Sequence, residues 1–327
     1  MFTRVRGRAV RVTLLVGVGC AVLIGCAGLL WKLHDMAAYV ADGDPEQGSY
    51  VQDADSGDRA AAAVLAGPAR EVPRPGPAAQ DTGAQGGTGA RDTAAQGAGA
   101  RDAGGWRPSD PLIARPAAAE PAIGALFSPG EDADQDHHCS ASVVHSPGGD
   151  LVATAAHCVY RGVLGFRTNL VFAPGYRDGG APYGVWVPTR IDVDPRWIED
   201  QDPDYDVAFL RVRRPGHPGE RLEDSTGAQT VRFGPELPLP ARVVGYPNAT
   251  EYPVECFNTA RAEGPAQLRL DCADVPDGTS GGPVLTDAHT LIGVVGGRDG
   301  GGDEKTSYSS LFGDGVRAVY ERAAAAR

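Results

Sequence analysis

Residues 277–283 read DGTSGGP, and no other run narrows the possible folds and chemistries as far. Ser280 stands between Gly278 and the pair Gly281 and Gly282, so the backbone can turn sharply and bring N–H groups beside the hydroxyl with no Cβ in the way. A serine alcohol is a poor nucleophile at neutral pH and needs a base within hydrogen-bond reach. The run TAAHC at residues 154–158 supplies His157 as that base. A third group must hold the imidazole in one tautomer, and DPDYDVAFLRV at residues 202–212 supplies Asp206 just before an apolar strand-like run.

Singly, each of these residues has a plainer explanation. A histidine before a cysteine can merely pack, an aspartate before a strand can cap a turn, and a serine among glycines can simply turn the chain. Their occurrence in the order His, Asp, Ser, each inside a run of the right kind, argues against coincidence. GTSGG also fits the G-x-S-x-G elbow of α/β-hydrolases, but that elbow needs an acid and then a histidine after the serine. Only His289 follows, nine residues on, and strands do not alternate with helices.

Short apolar runs recur from Ile123 onward, at IGALF, CSASVV, DLVATA and then at 170–172, 184–187, 207–212, 230–233, 241–245, 268–270, 284–285 and 291–295, with proline, glycine and aspartate between them. That rhythm predicts an all-β barrel or sandwich, and residues 316–325 read as a closing helix. Cys256 and Cys272 flank a hairpin-like segment and are expected to bridge its strands. Four cysteines in this half suit an oxidising compartment, and their spacing does not suit zinc. Asp132, Asp134 and Asp136 with His137 and His138 invite a metal reading. The run fails as an EF-hand, with His137 where glycine is needed and Val143 where glutamate is needed.

On TAAHC, DYDVAFL and GTSGGP together, the chain resembles the trypsin-like (chymotrypsin-fold) serine peptidases over residues 120–327. The resemblance implies two six-stranded antiparallel β-barrels and a C-terminal helix, with His157 and Asp206 from the first barrel meeting Ser280 from the second. It also implies an oxyanion hole from the N–H groups of Gly278 and Ser280, a Cys139–Cys158 bridge, a polypeptide substrate, and neither cofactor nor metal. Residues 243–247 (VVGYP), 293–297 and IGALF are similar to segments of the bacterial glutamyl-endopeptidase-like branch. Two departures matter. Thr279 stands where many relatives carry an aspartate that pairs with a newly freed N-terminus, which puts activation by that route in doubt. Asp274, six residues before Ser280, suits a basic substrate side chain, whereas Arg298, just past Gly296 and Gly297, could neutralise it or receive an acidic one. The glycine pair leaves room for an extended substrate.

Ahead of this domain, Arg4, Arg6, Arg8 and Arg11 precede an uncharged run at 12–31, long enough as a helix to cross a bilayer core of about 30 Å. Residues 1–36 are therefore expected to be a membrane anchor or signal segment, with LIGC at 23–26 resembling a lipobox. The rest lies outside the cytoplasm, membrane-anchored or secreted, in a bacterial-type setting. Residues 37–119 are rich in Ala, Gly and Pro and poor in large apolar groups, with RDTAAQGAGA-like phrases recurring; they are expected to be a disordered linker. A net charge of −12 with no massed basic segment excludes a nucleic-acid footprint. The expected molecule is a monomeric extracytoplasmic serine endopeptidase. The rival class is a surface binding protein that keeps the peptidase fold without turnover.

Overall fold

Glycine, proline and aspartate break the chain into short strands, and the computed structural model arranges most of them in two sheets. It describes residues 39–75, 101–102, 105–130 and 137–325. Met1–Val40 separates from Ala41–Arg327 as its own unit, of which only the last two residues are described. The proposed span at 12–31, the linker phrases at 76–100 and the acidic run with Asp132, Asp134 and Asp136 lie outside the described residues. Among the described residues no helix is long and apolar enough to cross a membrane.

The first sheet uses β1 (Ser49–Val51), β2 (Ile123–Phe127), β3 (His137–Val144), β4 (Leu151–Thr154), β5 (Val171–Pro174), β6 (Val187–Val193) and β7 (Ala208–Arg213). Their order is β5-β2-β3-β4-β7-β6-β1, all paired antiparallel. Phe172 on β5 and Trp186, just before β6, exchange two backbone hydrogen bonds of 2.8 Å, which curls this sheet toward itself. The second sheet uses β8 (Thr230–Val231), β9 (Leu239–Gly245), β10 (Val254–Glu263), β11 (Gln267–Asp271), β12 (Pro283–Leu285), β13 (Thr290–Val294) and β14 (Thr306–Ser310). Their order is β8-β13-β12-β9-β10-β11-β14. Buried Leu126, Trp186, Ile191 and Leu210 fill the first sheet, and Val243, Leu268, Leu270 and Ile292 the second. The closing helix runs Asp314–Ala325 and buries Val316, Val319 and Ala323, two residues longer than the sequence reading at its start.

The structure departs from the linker expectation over residues 41–75 and 105–119. Strand β1 joins the free edge of β6, and α1 (Ala54–Ala66) lies over β6 and β5. Its buried positions are Gly57, Ala60, Ala61 and Val64, an i, i+3, i+4, i+7 stripe. Small side chains permit this close seat: a Cβ on Gly57 would already stand 3.0 Å from Val187 Cγ2. Asp53 caps the helix, its carboxylate accepting from Ser56 N at 2.9 Å. Arg70–Glu71 then pairs in parallel with Gly180–Ala181, and Tyr176 donates its hydroxyl to Pro68 O at 3.0 Å. Val64 is 0 % exposed, so Val64→Ala is expected to lower unfolding free energy by roughly 2 kcal/mol through lost burial and a residual cavity. Chemical denaturation of the full chain with and without the substitution measures this.

Residues 105–119 strap the second sheet instead. Arg115–Pro116 pairs with Val254 and Glu255 on β10, and Trp106 meets Phe257 edge to face at 5.3 Å. Arg242 on β9 binds Glu120 at the end of the strap and Glu255 on the neighbouring strand. The buried guanidinium of Arg242 thus lies between two carboxylates, and such pairing is the condition for keeping an arginine out of water.

Candidate active site

His157 sits in the single turn Ala156–Cys158 that follows β4. Two hydrogen bonds tie this turn to Asp206: His157 N donates to Oδ1 at 2.9 Å, and Nδ1 donates to Oδ2 at 2.7 Å. One carboxylate thereby fixes both the backbone and the ring of the histidine, leaving Nε2 as the basic atom. Asp206 is 0 % exposed. Its second oxygen also accepts from Gly297 N at 2.7 Å, and its own N–H donates to Ser310 Oγ at 3.1 Å. Burial disfavours the imidazolium, but the charge of Asp206 and the hydrogen bond to it outweigh burial and hold the His157 pKa above the ordinary histidine value.

His138 lies close by and behaves differently. Burial, aided by the positive charge of Arg167, pushes it down to about 3, so it stays neutral. Its Nε2 donates to Cys158 O at 3.1 Å. The two histidines of this corner are thus pushed in opposite directions, His138 toward the neutral ring and His157 toward the imidazolium.

The turn carrying Ser280 comes from the second sheet, between β11 and β12, and is fastened to the first. Ser280 O accepts from Ser140 N at 2.7 Å. Ser140 follows Cys139, whose disulfide partner Cys158 follows His157. A Cβ on Gly281, where φ is +77°, would collide with Thr154 Oγ1 and Ser140 O and stand 3.0 Å from Ala155 N. The Ser280–Gly281 peptide is thus packed against the strand end that leads into His157, and only glycine fits there. Ser280 itself remains partly exposed.

The same turn orients two peptide N–H groups. Asp277 O accepts from Asn248 N at 2.9 Å, and Thr279 O accepts from Gly282 N at 2.8 Å. In a trans peptide the N–H points opposite the carbonyl, so the N–H groups of Gly278 and Ser280 are turned away from these internal donors. Among the described residues neither N–H has an acceptor. Thr279 is buried, its hydroxyl donating to Pro276 O at 2.7 Å, so this position is satisfied within its own loop.

Not every candidate converges. Asp274 is exposed, at a left-handed φ of +55°, with its N–H 3.3 Å from Glu304 O. Arg298 is half-exposed and pairs with Glu263 at 3.2 Å. Gly296 and Gly297 face Asp206: a Cβ on Gly296 would stand 2.7 Å from Asp206 Oδ2. The geometry gives this glycine pair a close approach to the carboxylate. Ser310 and Gln267 went unread in the sequence. Ser310 Oγ donates to Pro203 O at 2.8 Å, and Gln267 Nε2 donates to the same carbonyl at 2.8 Å and to Asp204 Oδ1 at 2.9 Å. Both hold the Pro203–Tyr205 turn that delivers Asp206, and isolated polar residues on strands carry no sequence signal of that task.

Both disulfides form, Cys139–Cys158 and Cys256–Cys272. Replacing Cys139 and Cys158 together by alanine is expected to cost about 3 kcal/mol of stability in the chain-entropy account, measured by denaturation of the oxidised protein beside the variant.

A family model for the trypsin-like peptidase domain matches residues 139–294. The protease Anisep of Arthrobacter nicotinovorans is 26% identical with a TM-score of 0.58, covering 65% of this chain and 100% of that one. The thermostable serine protease AL20, from an extremophilic microorganism, is 26% identical with a TM-score of 0.56, covering 64% and 99%. A Glu endopeptidase shares the fold at 17% identity, with a TM-score of 0.55 over 66% of this chain and 100% of that one. An extracellular metalloprotease of Bacillus subtilis (strain 168) is 30% identical over 98 residues, and the match spans 30% of that protein's length and 30% of this one. Among the described residues the close His/Cys/acid grouping is Cys139, His157 and Cys158. Both cysteines are spent in their disulfide, so they offer no thiolate and the set does not suit a metal. Over residues 139–294 the chain therefore matches the trypsin-like peptidase domain, with the fold of bacterial serine proteases around it.

Proposed function

We propose that this protein is an extracytoplasmic serine endopeptidase in which Ser280, His157 and Asp206 form the catalytic triad. The observation that carries the proposal is the doubly bonded His157–Asp206 pair; the Ser280 turn supports it by its hydrogen bond to Ser140, the neighbour of the disulfide whose other end follows His157. In this reading the two sheets are the two β-barrels of the family and the triad lies in the cleft between them.

Ser280 Oγ attacks the peptide carbonyl while His157 Nε2 takes its proton, and the tetrahedral oxyanion is received by the N–H groups of Gly278 and Ser280. Asp206 holds the Nδ1–H and stabilises the imidazolium. His157 then returns the proton to the leaving amine, the acyl-enzyme forms, and water reverses the sequence to release the acid. Gly296, Gly297, Asp274 and Arg298 are proposed to border the bound polypeptide. The basic flank and apolar run at 1–31 support a site held outside the membrane by its N-terminus.

A mixed peptide-library digest tests the reading. The full chain is expected to generate new peptide termini that Ser280→Ala does not generate. Equal cleavage by both, or none by either in folded protein, counts against it.

A further inference from the structure

The proposed chemistry leaves the buried hydroxyl of Ser140 without a task. We infer that Ser140 is the positioning residue that orients the oxyanion-binding turn, acting through Gly278 and Ser280 and not on substrate; the inference rests on the peptidase reading above.

Ser140 lies on β3 and is 0 % exposed. Its hydroxyl accepts from Tyr246 N at 2.7 Å and donates to Gly278 O at 2.9 Å. An amide N–H can only donate, so the hydroxyl must accept there, and its one proton is left for Gly278 O. Its N–H donates to Ser280 O at 2.7 Å, and its own carbonyl is held by Thr154 Oγ1 at 2.8 Å. One residue therefore grips the carbonyls on both sides of Thr279.

This grip matters because the turn's own bonds, Gly282 N to Thr279 O at 2.8 Å and Thr279 N to Pro276 O at 3.2 Å, do not reach the carbonyls of Gly278 and Ser280. Gly278 and Gly281 both have positive φ, at +94° and +77°, and glycine resists rotation of its peptide planes least of all residues. Oxyanion donors are effective only when held in place before the reaction. The Asn248 N–H fixes the plane that carries the Gly278 N–H, and the Ser140 hydroxyl fixes the next plane. Without the hydroxyl, Gly278 O and Tyr246 N lose their shared partner while buried. The Gly278–Thr279 plane is then left with the 3.2 Å bond from Thr279 N to Pro276 O, and as it tilts about that bond the donors at Gly278 and Ser280 move with it.

The test uses p-nitrophenyl acetate as probe with the full chain, Ser280→Ala, Ser140→Ala and Ser140→Gly. An active wild type with an inert Ser280→Ala chain first secures the serine mechanism. The expected result for both Ser140 variants is a kcat lower by roughly 10- to 100-fold, as for a displaced oxyanion donor, with KM within about threefold and the His157 ionisation unmoved in the pH–rate profile. A folded variant with kcat within about twofold of wild type overturns the inference. A loss that moves together with the His157 ionisation also overturns it, because the hydroxyl would then act through the base. If neither variant folds, Ser140 is a folding determinant and the inference fails. A wild-type chain that does not turn over the ester removes both this inference and the peptidase reading.

Discussion

Ser280→Ala is expected to reduce peptide hydrolysis by about a millionfold while leaving the fold intact. The size follows from what the hydroxyl does. Without it no acyl-enzyme forms, and what survives is the binding and electrostatic help of the remaining site. His157→Ala should cost about as much, and the double variant hardly more, because base and nucleophile act as a unit. Additive losses in the double variant would mean that the two residues do not share a step. Steady-state rates on a fluorogenic peptide chosen from the library digest, with unchanged thermal melting as the control on folding, measure all three.

Asp206→Asn is the second large effect, about 10⁴-fold in kcat, and it carries a pH signature. His157 must be neutral to accept a proton. The Asp206 charge holds its pKa above the ordinary value of about 6.5, so the rate of the wild type should rise with pH through a midpoint above that value. Removing the charge leaves the burial effect, which lowers the pKa. The midpoint of the residual activity should move to lower pH. Linkage gives the matching stability effect: the raised pKa favours the folded state most fully below the ordinary histidine value, and that contribution fades as pH rises through the raised one. The neutral His138 adds no second histidine ionisation to the profile. A midpoint that stays put in Asp206→Asn would contradict the assigned pairing.

The legible parts of this chain are those written in contiguous runs. TAAHC, DYDVAFL and GTSGGP each mark one residue by a local pattern, and His157 and Asp206 from two of these runs are hydrogen-bonded to each other. Strands β2, β3 and β4 were readable because apolar runs end at glycine, proline or aspartate. Strand β14 was not, since TSYSS hides its inward serines behind polar letters: Ser309 and Ser310 are 0 % exposed and bonded internally. Residues 41–75 were unreadable for a different reason. Alanine and glycine look like linker when counted by apolar area. On α1 they are the residues that allow a helix to lie close against β6, a fact that depends on the partner surface. The neighbourhood of Asp206 shows the same dependence. Gly297 N comes from the bend after β13, and Ser310 and Gln267 from β14 and β11, so no local run announces that they hold Asp206 and its turn.

The proposed chemistry stands or falls on Ser280 being a nucleophile made reactive by His157. Intact-mass and peptide-mass measurement after exposure of the full chain to a fluorophosphonate tests it directly. One adduct is expected, on Ser280, forming rapidly in the wild type and failing to form in folded His157→Ala. An adduct on another residue, or equal labelling of Ser280 with and without His157, would contradict it.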